Sequence, residues 1–164
     1  MSKSDKGSAR FHLSDDARKY FERIGVGRNK GKSDSGDFSA VIEPYYLCMI
    51  MGIARGEVSE PDPMRPDMIR EWASHAKEHD LLISGLVFHQ YCRKRGISHD
   101  DEGVLMKMSD FFSNDRTGTY EKPAFKMMNE YAQGGFNAIR ERIGVVSDLA
   151  DFLEIYLQEL EESL

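Results

Sequence analysis

Apolar residues recur through most of this chain at the three- and four-residue spacing of one face of an α-helix. Ser14 followed by Asp15 and Asp16 is typical of a helix N-terminus, and Gly25 is typical of a helix end. The next helix, predicted over Tyr45–Arg55, is apolar on nearly every side. A helix without a polar face is expected to lie at the centre of its domain.

Four further helices are predicted by the same spacing. A long one covers residues 67–95, and a shorter one covers Val104–Phe112. A third runs from about Pro123 to Ile143, and a fourth follows Ser147 as its N-cap. The pair Gly134-Gly135 lies inside the third helix, where each glycine costs about 1 kcal/mol relative to alanine. Two glycines in mid-helix predict either close backbone packing or a kink.

These elements together predict an all-α protein, a compact bundle of five or six helices. The 164 residues fit one domain, and an apolar fraction of 40% is ordinary for a globular protein. We assign residues 1–9 to a flexible tail and residues 10–164 to a single helical domain. The alternation of polar and apolar residues in Arg10–Leu13 leaves a short extended segment open near the N-terminus.

No targeting or membrane-spanning segment is recognisable in the sequence. Met1–Ser14 contains no apolar run, and the longest such run, Tyr45–Ala54, is about half of a bilayer span. The two cysteines, Cys48 and Cys92, lie in apolar helical stretches. We therefore expect a cytoplasmic protein that does not enter a membrane and whose thiols are reduced and buried.

Charge is distributed unevenly along the chain, whose formal net charge is −6. Residues 1–32 hold nine basic side chains against four acidic ones, whereas residues 146–164 hold six acids and no base. The basic end is the candidate contact for DNA, because phosphates need positive charge more than a fixed geometry. A solvated surface of mixed charge is the alternative. The candidate nucleic-acid-binding residues are Arg18, Lys19, Arg23, Arg28, Lys30 and Lys32.

No pattern in the chain points firmly to an active site. Gly31-Lys32-Ser33 ends like a phosphate-binding loop, but Val26 stands where that loop needs its first glycine. Cys48 has no neighbouring base, so its thiol is expected to be protonated and inert. His75 and His79, four residues apart on the long helix, are weak candidates for metal ligands, and a buried, hydrogen-bonded histidine is the simpler explanation. We assign no catalytic residue and no cofactor.

The last helix and the methionines are candidate protein-binding features. Phe152, Tyr156 and Leu160 recur at helical spacing on the last helix and are assigned as partner contacts. The chain has nine methionines, a residue type that fills cores and also adapts to varied partners. We expect most of them in the core and some on an adaptable binding surface.

Two segments resemble known proteins. The segment Phe11–Glu57, with "LSDDARKYFERIG" and then "LCMIMGIARG", resembles the small DNA sulfur modification proteins of the DndE type. The stretch "MNEYAQGGFNAIRERIG" lies outside this resemblance and is similar to small helical accessory subunits encoded beside large ATPases in prokaryotic defence systems. The resemblance implies association with DNA inside a multi-subunit machine, although the acidic total charge departs from that of a stand-alone DNA-binding protein.

The sequence thus supports three hypotheses. The preferred one is a non-enzymatic accessory or adaptor subunit of a prokaryotic complex that acts on nucleic acid, with a larger ATPase or nuclease as its partner and anti-phage defence as its setting. The second is a DNA-binding module that uses the basic N-terminal residues. The third is a metal-dependent hydrolase around His75 and His79. Homo-oligomerisation is left open.

Overall fold

A computed structural model describes residues 11–25, 42–61, 80–112 and 122–163. These ranges contain six helices and no strand, which confirms the predicted all-α class. The helices are α1 (Asp15–Arg23), α2 (Ile42–Arg55), α3 (Asp80–Arg95), α4 (Val104–Phe112), α5 (Lys122–Arg142) and α6 (Leu149–Glu161). The tail over residues 1–9 and the first part of the predicted long helix lie outside the described residues, so the predicted division into tail and domain stays a prediction.

Helix α1 begins where the sequence predicts. Ser14 is its N-cap, with an extended backbone and a hydroxyl that accepts a hydrogen bond from the Ala17 N–H at 3.3 Å. Phe21 and Ile24 are buried on the same side as Ala17, so the apolar stripe faces the core. Before the helix, Phe11 forms an isolated β-bridge, and the residues between it and α1 have no regular secondary structure.

Helices α2 and α5 cross with their backbones in contact, and we call this contact the helix crossing. A Cβ atom at Gly135 would overlap the carbonyl group of Cys48, and one at Gly52 would overlap the carbonyl oxygen of Tyr131. A Cβ at Gly134 would collide with the carbonyl of Glu57 in the chain after α2. Of the two predictions for the glycine pair, close packing is therefore confirmed, and α5 continues without interruption to Arg142.

A single apolar core surrounds the helix crossing. Its largest fully buried side chains include Tyr45, Met49, Tyr131 and Phe152. The buried polar side chains include Asn129, whose Oδ1 accepts hydrogen bonds from the His12 N–H and from the Tyr45 hydroxyl, each at 2.9 Å. These bonds join the segment before α1, α2 and α5 at one buried point, where polar groups must be satisfied within the protein.

Helices α3 and α4 pack less closely, through a set of aromatic rings. The ring centroids of Tyr91 and Phe111 are 4.5 Å apart, and those of Phe88 and Phe111 are 6.0 Å apart. The outer side of this pair is open to solvent, since Leu105 is 78% exposed and Met106 is 68% exposed. Two adjacent apolar side chains of α4 are thus exposed among the described residues.

The N-cap of α6 differs from the prediction by one residue. Asp148, and not Ser147, has the cap position: its Oδ1 accepts hydrogen bonds from the Ala150 N–H at 2.9 Å and from the Asp151 N–H at 3.0 Å. Ser147 instead donates its hydroxyl hydrogen to Asp151 Oδ2 at 3.2 Å. Both residue types cap helices well, and a carboxylate interacts better with the positive end of the helix dipole.

Across the described ranges, no helix combines the length and the apolar character that a transmembrane span requires.

Candidate nucleic-acid interface

Helix α1 presents two of its three predicted cations to solvent. Lys19 and Arg23 are exposed and lie one turn apart, on the opposite side from the buried Phe21. Arg18 is half-buried, and its Nε donates a hydrogen bond to the Leu13 carbonyl at 3.4 Å. The structure therefore separates Arg18, which contacts the backbone before the helix, from two cations that are free to meet a ligand.

The two exposed cations line a cleft between α1 and the end of α5, which we call the basic cleft. Its volume is about 230 Å³, and Arg140 of α5 adds a third positive charge to its lining. Asp16 is the one acid in the lining, and the rings of Tyr20 and Phe136 also contribute to it. Three cations against one acid give the cleft a local positive charge on a protein whose total charge is negative.

Arg140 was not among the predicted binding residues. It lies near the end of α5, with Nη1 3.9 Å from Asp16 Oδ2 and the guanidinium 5.7 Å from the centre of the Phe136 ring. Both partners of this ion pair are more than half exposed, and such pairs contribute little, about 0–1 kcal/mol. A phosphate that replaced Asp16 as the partner of Arg140 would therefore disturb the fold very little.

Tyr20 is an unusual component of the cleft lining. Its ring makes edge-to-face contacts with Phe21, Phe136 and Phe152, and its hydroxyl oxygen is buried without a hydrogen-bond partner. Burial, and secondarily the nearby Cys48, raises the pKa of Tyr20 to about 12. The phenol is therefore neutral at physiological pH and adds no negative charge to the cleft.

Several predicted site residues lie outside the described residues. Arg28, Lys30 and Lys32 follow α1 in the sequence, and the structure describes the chain as far as Gly25 in that region. His75 and His79 lie in the segment before α3 and are likewise not described. Among the residues that are described, no group of three or more histidine, cysteine, aspartate or glutamate side chains is arranged to hold a metal ion.

The structure corrects the assignment of the partner contacts on α6. Phe152 is fully buried, with its ring centroid 5.5 Å from that of Phe21, and Tyr156 is 3% exposed and donates its hydroxyl hydrogen to the Leu47 carbonyl at 2.9 Å. Leu160 is partly buried against the same core. The predicted stripe therefore faces the interior of this chain, and Leu157, 56% exposed, is the large apolar residue of α6 that faces solvent.

The cysteines and methionines divide between the core and the surface. Cys48 and Cys92 are buried and unpaired, and burial raises the pKa of the Cys48 thiol, which keeps it protonated as predicted. Met49, Met51 and Met128 fill the core, whereas Met106 lies on the exposed side of α4. The prediction that most methionines belong to the core and some to the surface is confirmed for these described residues.

Comparison with known proteins leaves the chain without an assigned relative: no family model, no curated protein and no solved structure matches it.

Proposed function

We propose that this protein is an accessory, non-enzymatic subunit that binds the phosphate backbone of nucleic acid in the basic cleft. The observation that carries the proposal is the convergence of Lys19 and Arg23 from α1 with Arg140 from α5 around one cleft. Arginine and lysine are the usual phosphate contacts of nucleic-acid-binding proteins, and such contacts position a protein without reading sequence. Binding is therefore expected to be independent of base sequence.

The charge of the whole protein limits the strength of this contact. With a net charge of −6, the protein as a whole is repelled by DNA, so a cleft with three cations binds weakly by itself. Attachment to a larger subunit that already holds nucleic acid would raise the effective concentration of the cleft at the backbone. A weak, sequence-independent contact is consistent with a role as accessory subunit.

The proposal is tested by reversing the three charges of the cleft. The variant K19E/R23E/R140E is compared with R93E/K107E/K126E, which reverses three exposed cations elsewhere. Each triple reversal changes the charge by three times −2, so both variants have a formal net charge of −12 instead of −6. Binding to a fluorescent DNA duplex is measured by anisotropy between low and moderate salt.

The expected results differ between the two variants. Loss of the cleft charges should weaken binding much more than the control does, and it should reduce the dependence of log affinity on log salt by about 1 per lost phosphate contact. Equal weakening in the two variants would mean that only the total charge matters, and the basic cleft would then have no special role.

A second candidate function, docking on another protein, is favoured by the outer side of α4. Leu105 and Met106 are adjacent, large and mostly exposed, and unpaired apolar residues of this kind often mark interaction surfaces. The wild type and L105S/M106S are compared by binding of an apolar dye and by sedimentation. Weaker dye binding or a smaller assembly in the variant supports docking, whereas a wild-type monomer that binds no dye contradicts it.

A further inference from the structure

Helix α3 and the turn before α4 bring two exposed histidines together, and neither histidine belongs to the lining of the basic cleft or to the core. After α3, Gly96 adopts a φ of 63°, which reverses the chain so that His99 returns beside His89. His89 Nδ1 and His99 Nε2 are 2.8 Å apart, and the planes of the two rings differ by only 6°. Both side chains are exposed to solvent.

Backbone hydrogen bonds hold the turn that carries His99. The Ile97 N–H donates to the Cys92 carbonyl at 3.0 Å, which ties the turn to the last part of α3. The Ser98 N–H donates to Asp101 Oδ2 at 3.2 Å, and the Asp100 N–H donates to the Ser98 hydroxyl at 3.3 Å. The backbone on both sides of His99 is thus held in place, which lowers the entropy lost when both rings bind one ligand.

The distance between the two ring nitrogens suits a shared ion as well as a shared proton. As a neutral pair, one ring donates its N–H to the lone pair of the other. When two imidazoles bind one divalent transition metal at about 2.0–2.1 Å each, their nitrogens lie roughly 3 Å apart, close to the separation present here. In the hydrogen-bonded pair the two facing nitrogens point at each other, so each ring would turn by roughly 45° to direct its lone pair at an ion about 2.0–2.1 Å away, and the donor ring's proton would move to its other nitrogen.

We propose that His89 and His99 form a two-histidine binding site for a divalent transition metal ion. Neutral imidazole is a ligand that Zn²⁺, Ni²⁺ and Cu²⁺ accept, and Cu²⁺ binds most tightly by the general order of these ions. Within the described ranges no third metal-binding side chain joins the pair, so water completes the coordination and the bound ion exchanges readily. The ion would join α3 to the turn that leads into α4.

The test uses the untagged full-length protein, because a polyhistidine tag would itself bind these ions. Titration calorimetry with ZnCl₂, and separately with CuCl₂, should give one ion per chain, with Cu²⁺ the tighter. Each of H89Q and H99Q should weaken this binding by about tenfold or more, because one imidazole cannot chelate. Added Zn²⁺ should also raise the Tm of the wild type and leave that of each variant unchanged.

The control is H75Q/H79Q, which removes two other histidines that stand four residues apart in the sequence. This variant should bind the ion as the wild type does. Circular dichroism checks that H89Q and H99Q keep their helices, which is expected since both side chains are exposed. The proposal fails if the wild type takes up no ion stoichiometrically, or if H89Q and H99Q bind the ion as tightly as the wild type does.

Discussion

The helix crossing and the α3–α4 pair are built from the same kinds of residue in opposite ways. At the crossing, glycines bring two backbones into contact, and large aromatic and methionine side chains are enclosed around them. In the α3–α4 pair, aromatic rings cover only one side of α4, and Leu105 and Met106 are left in solvent. The difference shows that the apolar content of a helix does not by itself tell whether its apolar side chains are buried in the core or exposed to solvent.

The two regions also differ in chemistry. The polar groups of the crossing, such as Asn129 and Tyr45, bond to each other inside the protein. The histidine pair and the basic cleft, in contrast, lie at the surface, the first between α3 and the turn after it and the second between α1 and α5. We therefore expect substitutions at the crossing to change stability and substitutions at the periphery to change binding.

The most sensitive position of the crossing is expected to be Gly135. In Gly135→Ala the new methyl group meets the backbone of Cys48, which can move only if α2 and α5 separate. We expect a loss of about 3–5 kcal/mol in the free energy of unfolding, or failure to fold. Urea unfolding followed by circular dichroism measures the effect.

The matched control is Gly85→Ala in α3, where nothing lies within 4 Å of the new Cβ. Alanine forms helices better than glycine, so this variant should gain up to about 1 kcal/mol. Similar stability of the two variants would contradict the distinction between the two regions.

The buried hydrogen bonds at Asn129 should give the next largest effect. Asn129→Ala removes the acceptor shared by the His12 N–H and the Tyr45 hydroxyl, and we expect a loss of about 2–3 kcal/mol. Tyr45→Phe removes only one of these bonds and should lose about 1 kcal/mol. Equal losses in the two variants, measured by the same urea unfolding, would show that the bond to His12 contributes nothing.

High pH is expected to lower the free energy of unfolding, because groups buried around the crossing resist ionisation in the folded protein. Burial raises the pKa of Tyr20 to about 12 and raises those of Tyr45, Tyr156 and Cys48. The unfolded chain loses these protons first, near pH 10 for tyrosine, so it binds fewer protons than the folded state and stability falls as pH rises.

The contribution of one phenol to this loss is isolated by Tyr20→Phe. Its hydroxyl makes no hydrogen bond, so the variant should match the wild type at pH 7 and lose less stability between pH 10 and 12. Thermal unfolding over this pH range is the measurement. An unchanged alkaline profile would mean that Tyr20 ionises as readily in the folded protein as in the unfolded chain.

The smallest effect on stability is expected on α4. Leu105→Ser removes an apolar side chain that is 78% exposed, so the free energy of unfolding should change by no more than about 0.5 kcal/mol. A loss above about 2 kcal/mol in urea unfolding would mean that Leu105 is buried in solution, since core leucines cost that much or more.

Local signals in the sequence predicted the elements well, because they act within a few residues. Ser14 and the acids after it mark the start of α1, and Gly134-Gly135 predicted close packing or a kink, of which the structure shows close packing. The predicted N-cap of α6 is one residue too early, because Ser147 and Asp148 are both good caps. The choice between two adjacent caps depends on the backbone, which the residue types do not determine.

The candidate sites were harder to predict because they depend on which helices meet. Arg140 is a common kind of residue for a helix C-terminus, and only the approach of α1 makes it part of the basic cleft. Phe152 and Tyr156 show the converse case, since an apolar stripe that docks on a partner and one that faces the core have the same spacing.

The close contact at Gly52, Gly134 and Gly135 has a consequence for tracing the ancestry of this protein. A position where any side chain would strike a neighbouring backbone favours glycine alone, whereas the apolar core positions around it can exchange one side chain for another of similar volume. One glycine in an apolar helix, followed much later in the chain by a glycine pair in another, is therefore the signature by which a distant homologue would be recognised.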